Sequence, residues 1–449
     1  MFKLSNLYNW RVQVIADLHL HSKYSRAVSQ HMVLPTMMQF ARQKGLNLLT
    51  TSDWTHPLWI REIKQELGEF SQGIYELKSS TNKLDPKFIL SVEVSSIYSQ
   101  GGKARRIHSL LFVPSIEVAG KFNSALQKKG ANLSSDGRPI VGLSPQNLLE
   151  IIMEIDERSF MIPCHAWTPW FSLYGSMSGF DSIEECFGDY EKYIYGIETG
   201  LSSDPAMNWR IPELKNRSIL SFSDSHSPIK MGRESTVFEL EKLTYDNLKK
   251  AIMRKSASNR ISYTIEFYPE EGKYHYTGHR NCGVVYSPVD TKKKGTNCPK
   301  CGKGLIVGVM ERVEDLAISS EKTNSGVGKS GVKWTIDPTK NHPPFAKLVP
   351  LNEVIAESLE VPITSIKIKP VFDLLTDKFE SEFEVLLKTP IDEIAKVGGE
   401  ELAEAIRKVR SGDISIQPGF DGQFGIVKIS SDVKPLEDKD LQKEQLGLI

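Results

Sequence analysis

No stretch of this sequence stays apolar long enough to form a membrane-spanning helix, which needs roughly 18 residues or more. The first residues, Met1-Phe2-Lys3-Leu4-Ser5-Asn6, turn polar too soon for a secretory leader. These two absences set the expectation of a cytoplasmic protein without a membrane partner. Net charge is lacking as well. With 56 Lys and Arg against 56 Asp and Glu, total charge argues neither for nor against nucleic acid. Cysteine is scarce: there are five, an odd number, and three of them cluster at Cys282, Cys298 and Cys301. That pattern argues for metal rather than a disulfide framework.

What is present is the composition of a globular protein, with 40% hydrophobic and 25% charged residues. A chain of 449 residues is too long for one ordinary core, so two or three domains are expected. The charge is unevenly distributed. Residues 249–308 hold twelve Lys and Arg against four Asp and Glu, leaving an acidic remainder. A basic block of this kind is either a solvated lysine-rich face or a surface for a phosphate backbone.

Residues 1–265 alternate strand-like and helix-like runs. The strand-like runs are Val12–Ala16, Leu46–Thr51, Phe88–Val94, Ile107–Val113, Phe160–Cys164, Tyr195–Glu198 and Ile219–Phe222. Amphipathic stretches such as Leu34–Lys44, Pro145–Glu157 and Leu243–Lys255 lie between them. This alternation predicts an α/β fold with a mainly parallel sheet or barrel of seven strands. Metal-ligand residues recur at the strand ends. Asp17-Leu18-His19-Leu20-His21 follows the first strand, and two imidazoles at i and i+2 on an extended end face one side. Asp53, Glu93, His108, His165, Asp224 and His226 follow on later strands. His108 opens its run rather than ending it, which suggests an antiparallel strand. Eight nitrogen and oxygen ligands exceed what one ion needs, so two or three divalent ions (Zn, Mn or Mg) are expected, bridged by Glu93. Glu198 and Cys164 read as supporting residues beside ligands. Closely spaced cations polarise phosphoryl oxygens and lower the pKa of water, which favours phosphoester hydrolysis. Arg26 and Arg233 flank the first and last motifs, as phosphate grips or as ordinary surface arginines. Trp167, Trp170 and Tyr174 follow His165, as a stacking surface for bases or as a hydrophobic plug.

The pattern Asp17-Leu18-His19-Leu20-His21-Ser22, Glu93, His108, His165 and Asp224-Ser225-His226 resembles the polymerase-and-histidinol-phosphatase (PHP) superfamily. The resemblance implies a distorted (β/α)7 PHP barrel with a trinuclear site. His19, His21, Glu93 and Asp224 would hold one metal, Glu93, His108 and His165 a second, and His226 a third. Two positions depart from that pattern. Ala27 stands where many relatives have histidine, and Ser52-Asp53-Trp54 replaces Thr-Asp-His. The third metal then depends on Asp53 or His56 as a substitute.

Residues 266–316 carry His279-Arg280-Asn281-Cys282 and Cys298-Pro299-Lys300-Cys301. Two such knuckles supply His279, Cys282, Cys298 and Cys301 to one structural zinc. Lys292, Lys293 and Lys294 lie between them, within the basic block. Residues 317–336 are rich in Ser, Gly, Lys and Thr and predict a flexible linker or an insertion. Residues 337–430 predict an α-rich C-terminal DNA-binding domain. Its helix–turn–helix centres on Gly398 and Gly399, either a phosphate-binding hairpin or an ordinary αα-hairpin. Residues 431–449 read as a charged, disordered tail.

The order of barrel, zinc module and Pro418-Gly419-Phe420-Asp421-Gly422 resembles the endonuclease Q family over roughly residues 10–430. That resemblance implies a DNA repair nuclease cutting 5′ to a deaminated base (uracil, hypoxanthine, xanthine) or an abasic site. Its partner would be DNA with damaged bases, with a replication or repair protein as a further partner left open. Asp224, His226 and Glu93 would be the catalytic residues. A small-molecule phosphoesterase like histidinol phosphatase and a catalytically inactive damage-binding protein are the alternatives.

Overall fold

The computed structural model describes residues 11–320 and 322–429; the polar start 1–6 and the charged tail 431–449 lie outside the described residues. Strand Val12–Asp17 runs parallel to Leu48–Thr50, which runs parallel to Lys87–Ile89. On its other side it pairs antiparallel with Ser235–Leu240. Helix Leu34–Lys44 keeps its expected bounds. Proline sits in its first turn, and Gly45 ends it in the left-handed conformation at φ 89°.

The apolar run Phe88–Val94 is two strands rather than one. It breaks at Leu90 into Lys87–Ile89 and Ser91–Gln100, which belong to different sheets. Ser91–Gln100 folds back through Gly101-Gly102 onto Lys103–Phe112 in a ten-pair antiparallel hairpin. Both glycines have positive φ, as a tight hairpin turn requires. His108 therefore enters on an antiparallel strand, and the sheets are mixed rather than mainly parallel. Phe160–Pro163 pairs antiparallel with Lys103–Phe112, and Gly196–Glu198 pairs parallel with Ser218–Leu220.

These strands share one apolar interior. Val14, Ala16, Leu48, Ile89, Leu110, Phe112, Phe160, Ile162, Leu220, Phe222, Phe238 and Leu240 pack in a single buried cluster. Helix Tyr245–Ile252 seals the end where Val12 and Leu240 pair, through Tyr245, Leu248 and Ile252. The opposite end is left for the loops that carry the histidines and acids.

The segment expected to be a flexible linker or an insertion carries two strands. Asn324–Val327 and Lys333–Ile336 form a hairpin whose second strand pairs with Phe345–Lys347, and that strand joins Arg260–Glu266 in parallel. They complete a ten-stranded sheet. The segment is polar because it forms the sheet's exposed edge; Trp334 anchors it against Tyr263 with ring centroids 5.0 Å apart. Five helices follow: Leu351–Ser358, Ile368–Phe379, Glu382–Leu387, Ile391–Gly398 and Glu400–Ser411. Residues 417–425 leave this helical region and return to the zinc-type module. Tyr276 donates its backbone N–H to Gly419 O (2.9 Å), and Gly419 donates to Glu270 O (2.8 Å). No helix among the described residues is long and apolar enough to cross a membrane.

Candidate metal centre

Two loops build the centre by zipping together. His21 donates its backbone N–H to Ser225 O at 3.1 Å. Asp17 accepts from Ser223 N (3.0 Å), Ser223 Oγ (2.6 Å) and Gly232 N (2.8 Å). Burial raises the Asp17 carboxyl to about 6 in spite of these bonds. Asp17 thus fixes the Asp224 loop and is not a ligand. Several turns at the strand ends are left-handed, at Ser52, Asp53, His165 and Asp224, a conformation that costs free energy and concentrates at functional loops.

Three overlapping groups bring ligand atoms within 4.8 Å of one another: His19, His21 and Asp224; Glu93, His108 and His165; and His19, Glu93 and Cys164. Glu93 and His19 each belong to two of the three groups and meet in the third, which links the whole cluster. Glu93 Oε1 lies 2.6 Å from His108 Nδ1 and 3.2 Å from His165 Nε2. Its Oε2 lies 3.3 Å from His21 Nε2. Asp224 Oδ1 lies 3.1 Å from His21 Nε2 and 3.6 Å from His19 Nε2.

The far sides of His19, His21 and His165 are braced. Glu198 takes His19 Nδ1 at 2.8 Å and the His165 backbone N–H at 2.7 Å. Asp53 faces His21 Nδ1 at 3.3 Å, and Ser172 Oγ faces His165 Nδ1 at 3.1 Å. Such partners fix which ring nitrogen turns inward. His19 Nε2 is fully buried with no hydrogen-bond partner. A buried nitrogen lone pair aimed at two carboxylates is what a cation would satisfy, so the donor set fits divalent metal.

Electrostatics agree. Burial alone would raise the Glu93 carboxyl, yet His108 and Arg138 hold it well below the usual range. Burial likewise opposes the charge on Asp224, and His19, His21 and His226 outweigh it. Burial disfavours protonation of His19 and His21, but Glu198 and Asp224 in one case, and Asp224 and Asp53 in the other, lift both well above the ordinary value. For His108 burial prevails and lowers it to about 4.

Other expected residues fall elsewhere. Asp53 spends its carboxylate on His21, Ser22 N (2.6 Å) and Ser25 Oγ (2.8 Å) and joins none of the three groups. His56 stacks on Tyr24 with centroids 4.4 Å apart. His226 stands at the rim, with Nδ1 2.9 Å from the Asp224 carbonyl and its ring 4.7 Å from His21.

Trp167 and Tyr174 are buried and cannot stack on a base. Trp167 Nε1 donates to Asn208 Oδ1 (2.7 Å), and Tyr174 OH donates to Glu213 Oε1 (2.8 Å). Trp170 remains available and lines a cavity of about 360 Å³ with Arg106, Phe171 and Tyr274. Arg233 turns inward and donates to Ser223 O at 3.0 and 3.1 Å, so it holds the Asp224 loop instead of facing a ligand. Arg26 is exposed beside Asp136.

His279, Cys282, Cys298 and Cys301 converge as a second group, with Cys301 Sγ 3.4 Å from His279 Nδ1. Lys292, Lys293 and Lys294 are exposed on helix Pro288–Lys294. Gly399 joins the last two helices with φ 89°, beside a half-buried Gly398, but Glu400 and Glu401 occupy the first turn that follows. Two acids there oppose an anionic ligand at that turn. Sequence reasoning missed Arg138, whose Nη1 lies 3.0 Å from Glu93 Oε2. Its signal was faint: a loop arginine between Gly137 and Pro139.

Fold and centre together define an α/β protein with a buried nitrogen-and-oxygen metal-ligand cluster and a separate Cys3His group. Comparison with known proteins carries this further. Residues 350–413 match the MJ0043 C-terminal domain family. The crystal structure of the lesion-specific endonuclease PfuEndoQ from Pyrococcus furiosus is 33% identical, with TM-score 0.78, covering 96% of this chain and 99% of that one. Endonuclease Q in complex with a 27-mer duplex bearing an abasic lesion at the active site is 33% identical, with TM-score 0.79, covering 96% and 100%. The chain belongs to the endonuclease Q family. Uncharacterized protein MJ0043 of Methanocaldococcus jannaschii is 35% identical over 268 residues, 58% of this chain; the chain spans only 31% of that relative's length.

Proposed function

We propose that this protein is a metal-dependent DNA repair endonuclease. It hydrolyses the phosphodiester 5′ to a deaminated base (uracil, hypoxanthine or xanthine) or an abasic site, on a catalytic unit of the distorted (β/α)7 PHP type. The observation that carries the reading is whole-chain similarity to a lesion-specific endonuclease, in a chain whose own buried cluster has the ligand set of a phosphoesterase centre.

His19, His21, Glu93, His108, His165 and Asp224 would hold the metals, and His279, Cys282, Cys298 and Cys301 the structural zinc. Divalent cations there would supply positive charge to a phosphoryl oxygen and acidity to a water. His19, His21 and Glu93 are fully enclosed, whereas Asp224 and His226 keep 26% and 35% of their side chains exposed. Those two therefore meet the substrate side, where they orient the attacking water. Trp170 and Tyr274, with centroids 5.6 Å apart beside the centre, offer aromatic faces for an extruded base. Lys292, Lys293, Lys294 and Arg26 offer exposed cations to the backbone.

The test is an end-labelled duplex with one uracil or one abasic site. A single nick 5′ to the lesion is expected with Mg, Mn or Zn, abolished by chelation and by Asp224→Ala. Intact duplex at every metal tried would rule the reading out.

A further inference from the structure

Among the described residues, Arg138 is the one lysine or arginine within 4.0 Å of a carboxylate in the buried cluster. Its loop is anchored to the centre's own supports. Gly137 N donates to Tyr24 O (3.0 Å), and Ser95 N donates to Pro139 O (3.0 Å). Thr55 Oγ1 donates to Gly137 O (3.1 Å). Asp136 Oδ1 accepts the N–H groups of Arg26 (3.3 Å) and Arg138 (3.1 Å). Gly137 packs so closely that a Cβ there would lie 2.5 Å from both Asp53 Oδ2, whose carboxylate braces His21, and Ser25 Oγ, which donates to Asp53. The loop that carries the guanidinium thus packs on Asp53, the carboxylate that orients His21. About a quarter of the side chain, 26%, stays open to solvent, the same as Asp224.

Charge makes this placement informative. The guanidinium beside Glu93 helps to balance the charge of that buried carboxylate. Were cations bound by Glu93, its charge would be divided among them, and the guanidinium beside it would be left to pair with a further anion. A guanidinium fork matches two oxygens of a phosphate.

We propose that Arg138 grips a non-bridging oxygen of the phosphodiester at this centre. The inference rests on the metal-phosphoesterase reading above and adds a substrate contact to it. Metal-loaded wild type, Arg138→Met and Arg138→Lys are compared in three measurements: metal per chain, calorimetric binding of inorganic phosphate, and cleavage of abasic duplex. Unchanged metal content is expected, with phosphate binding weakened about tenfold or more in Arg138→Met. Cleavage should fall alongside it, and Arg138→Lys should recover part of both, keeping the charge without the fork. Loss of metal from Arg138→Met and Arg138→Lys alike would make Arg138 a structural support of the centre and overturn the proposal; so would phosphate binding equal to wild type, or a wild type that binds none. Phosphate held through Arg138 by a wild type that cuts no DNA would refute the nuclease reading and leave this assignment standing.

Discussion

His19 Nδ1 faces Glu198 and His21 Nδ1 faces Asp53, which turns both Nε2 atoms toward Glu93 and Asp224. Glu198→Ala is therefore expected to weaken metal binding about 10- to 100-fold, read by competition with a chelating dye. A second residue gives a pH signature outside the candidate centre. His342 is buried and stacked near Trp209, and burial with the neighbouring Arg254 pushes it down to about 4 against the pull of Asp337. Unfolded, the imidazole takes its proton near 6.5. Between those values the unfolded chain binds more protons, so this residue's share of stability falls as pH drops from about 6.5 toward about 4. His342→Gln should lose less melting temperature than wild type between pH 7 and pH 4.5. At this scale the residues that converge were legible in the sequence, because His-x-His, Glu93 and Asp-x-His are conspicuous chemistry. Orientation was not. Nothing in the spacing of Trp167, Trp170 and Tyr174 says that two of the three point into the core. An arginine such as Arg138 carries no signal until the fold brings it to Glu93.

Strands and their end loops decide which residues meet. Helix Leu34–Lys44 was readable because its period, its proline start and its glycine stop agree. The break at Leu90 was hidden, since an apolar run looks the same whether it serves one sheet or two. The hairpin Asn324–Ile336 was hidden for the opposite reason: a sheet edge tolerates polar residues that read as linker. After strand Gly196–Glu198 comes Gly200 at φ 60°, pressed against Cα and Cβ of His165. Gly200→Ala would strain the backbone and push on that ligand. A loss of about 2–3 kcal/mol in denaturant unfolding is expected, with lesion cleavage falling more steeply than the loss of folded protein explains.

Across the whole molecule, the part that carries the candidate centre and the helical part are bound by more than a tether. Arg410 is buried on the last helix and donates to the carbonyls of Val385 (2.6 Å), Leu386 (3.0 Å), Thr389 (2.6 Å) and Ser330 (2.8 Å). One side chain thus ties the helical bundle to the edge hairpin. Arg410→Ala leaves those oxygens without their donor and should cost on the order of 3 kcal/mol, measured by urea unfolding. The ten-stranded sheet adds a second bond between the parts, through Arg260–Glu266 beside Phe345–Lys347. A gene fragment stopped at codon 265 would clip that strand and strip away its neighbour, baring a row of unmet amides and carbonyls. Such a fragment should precipitate edge to edge instead of yielding a miniature nuclease, so anyone trimming this protein for use will find no seam there to cut along.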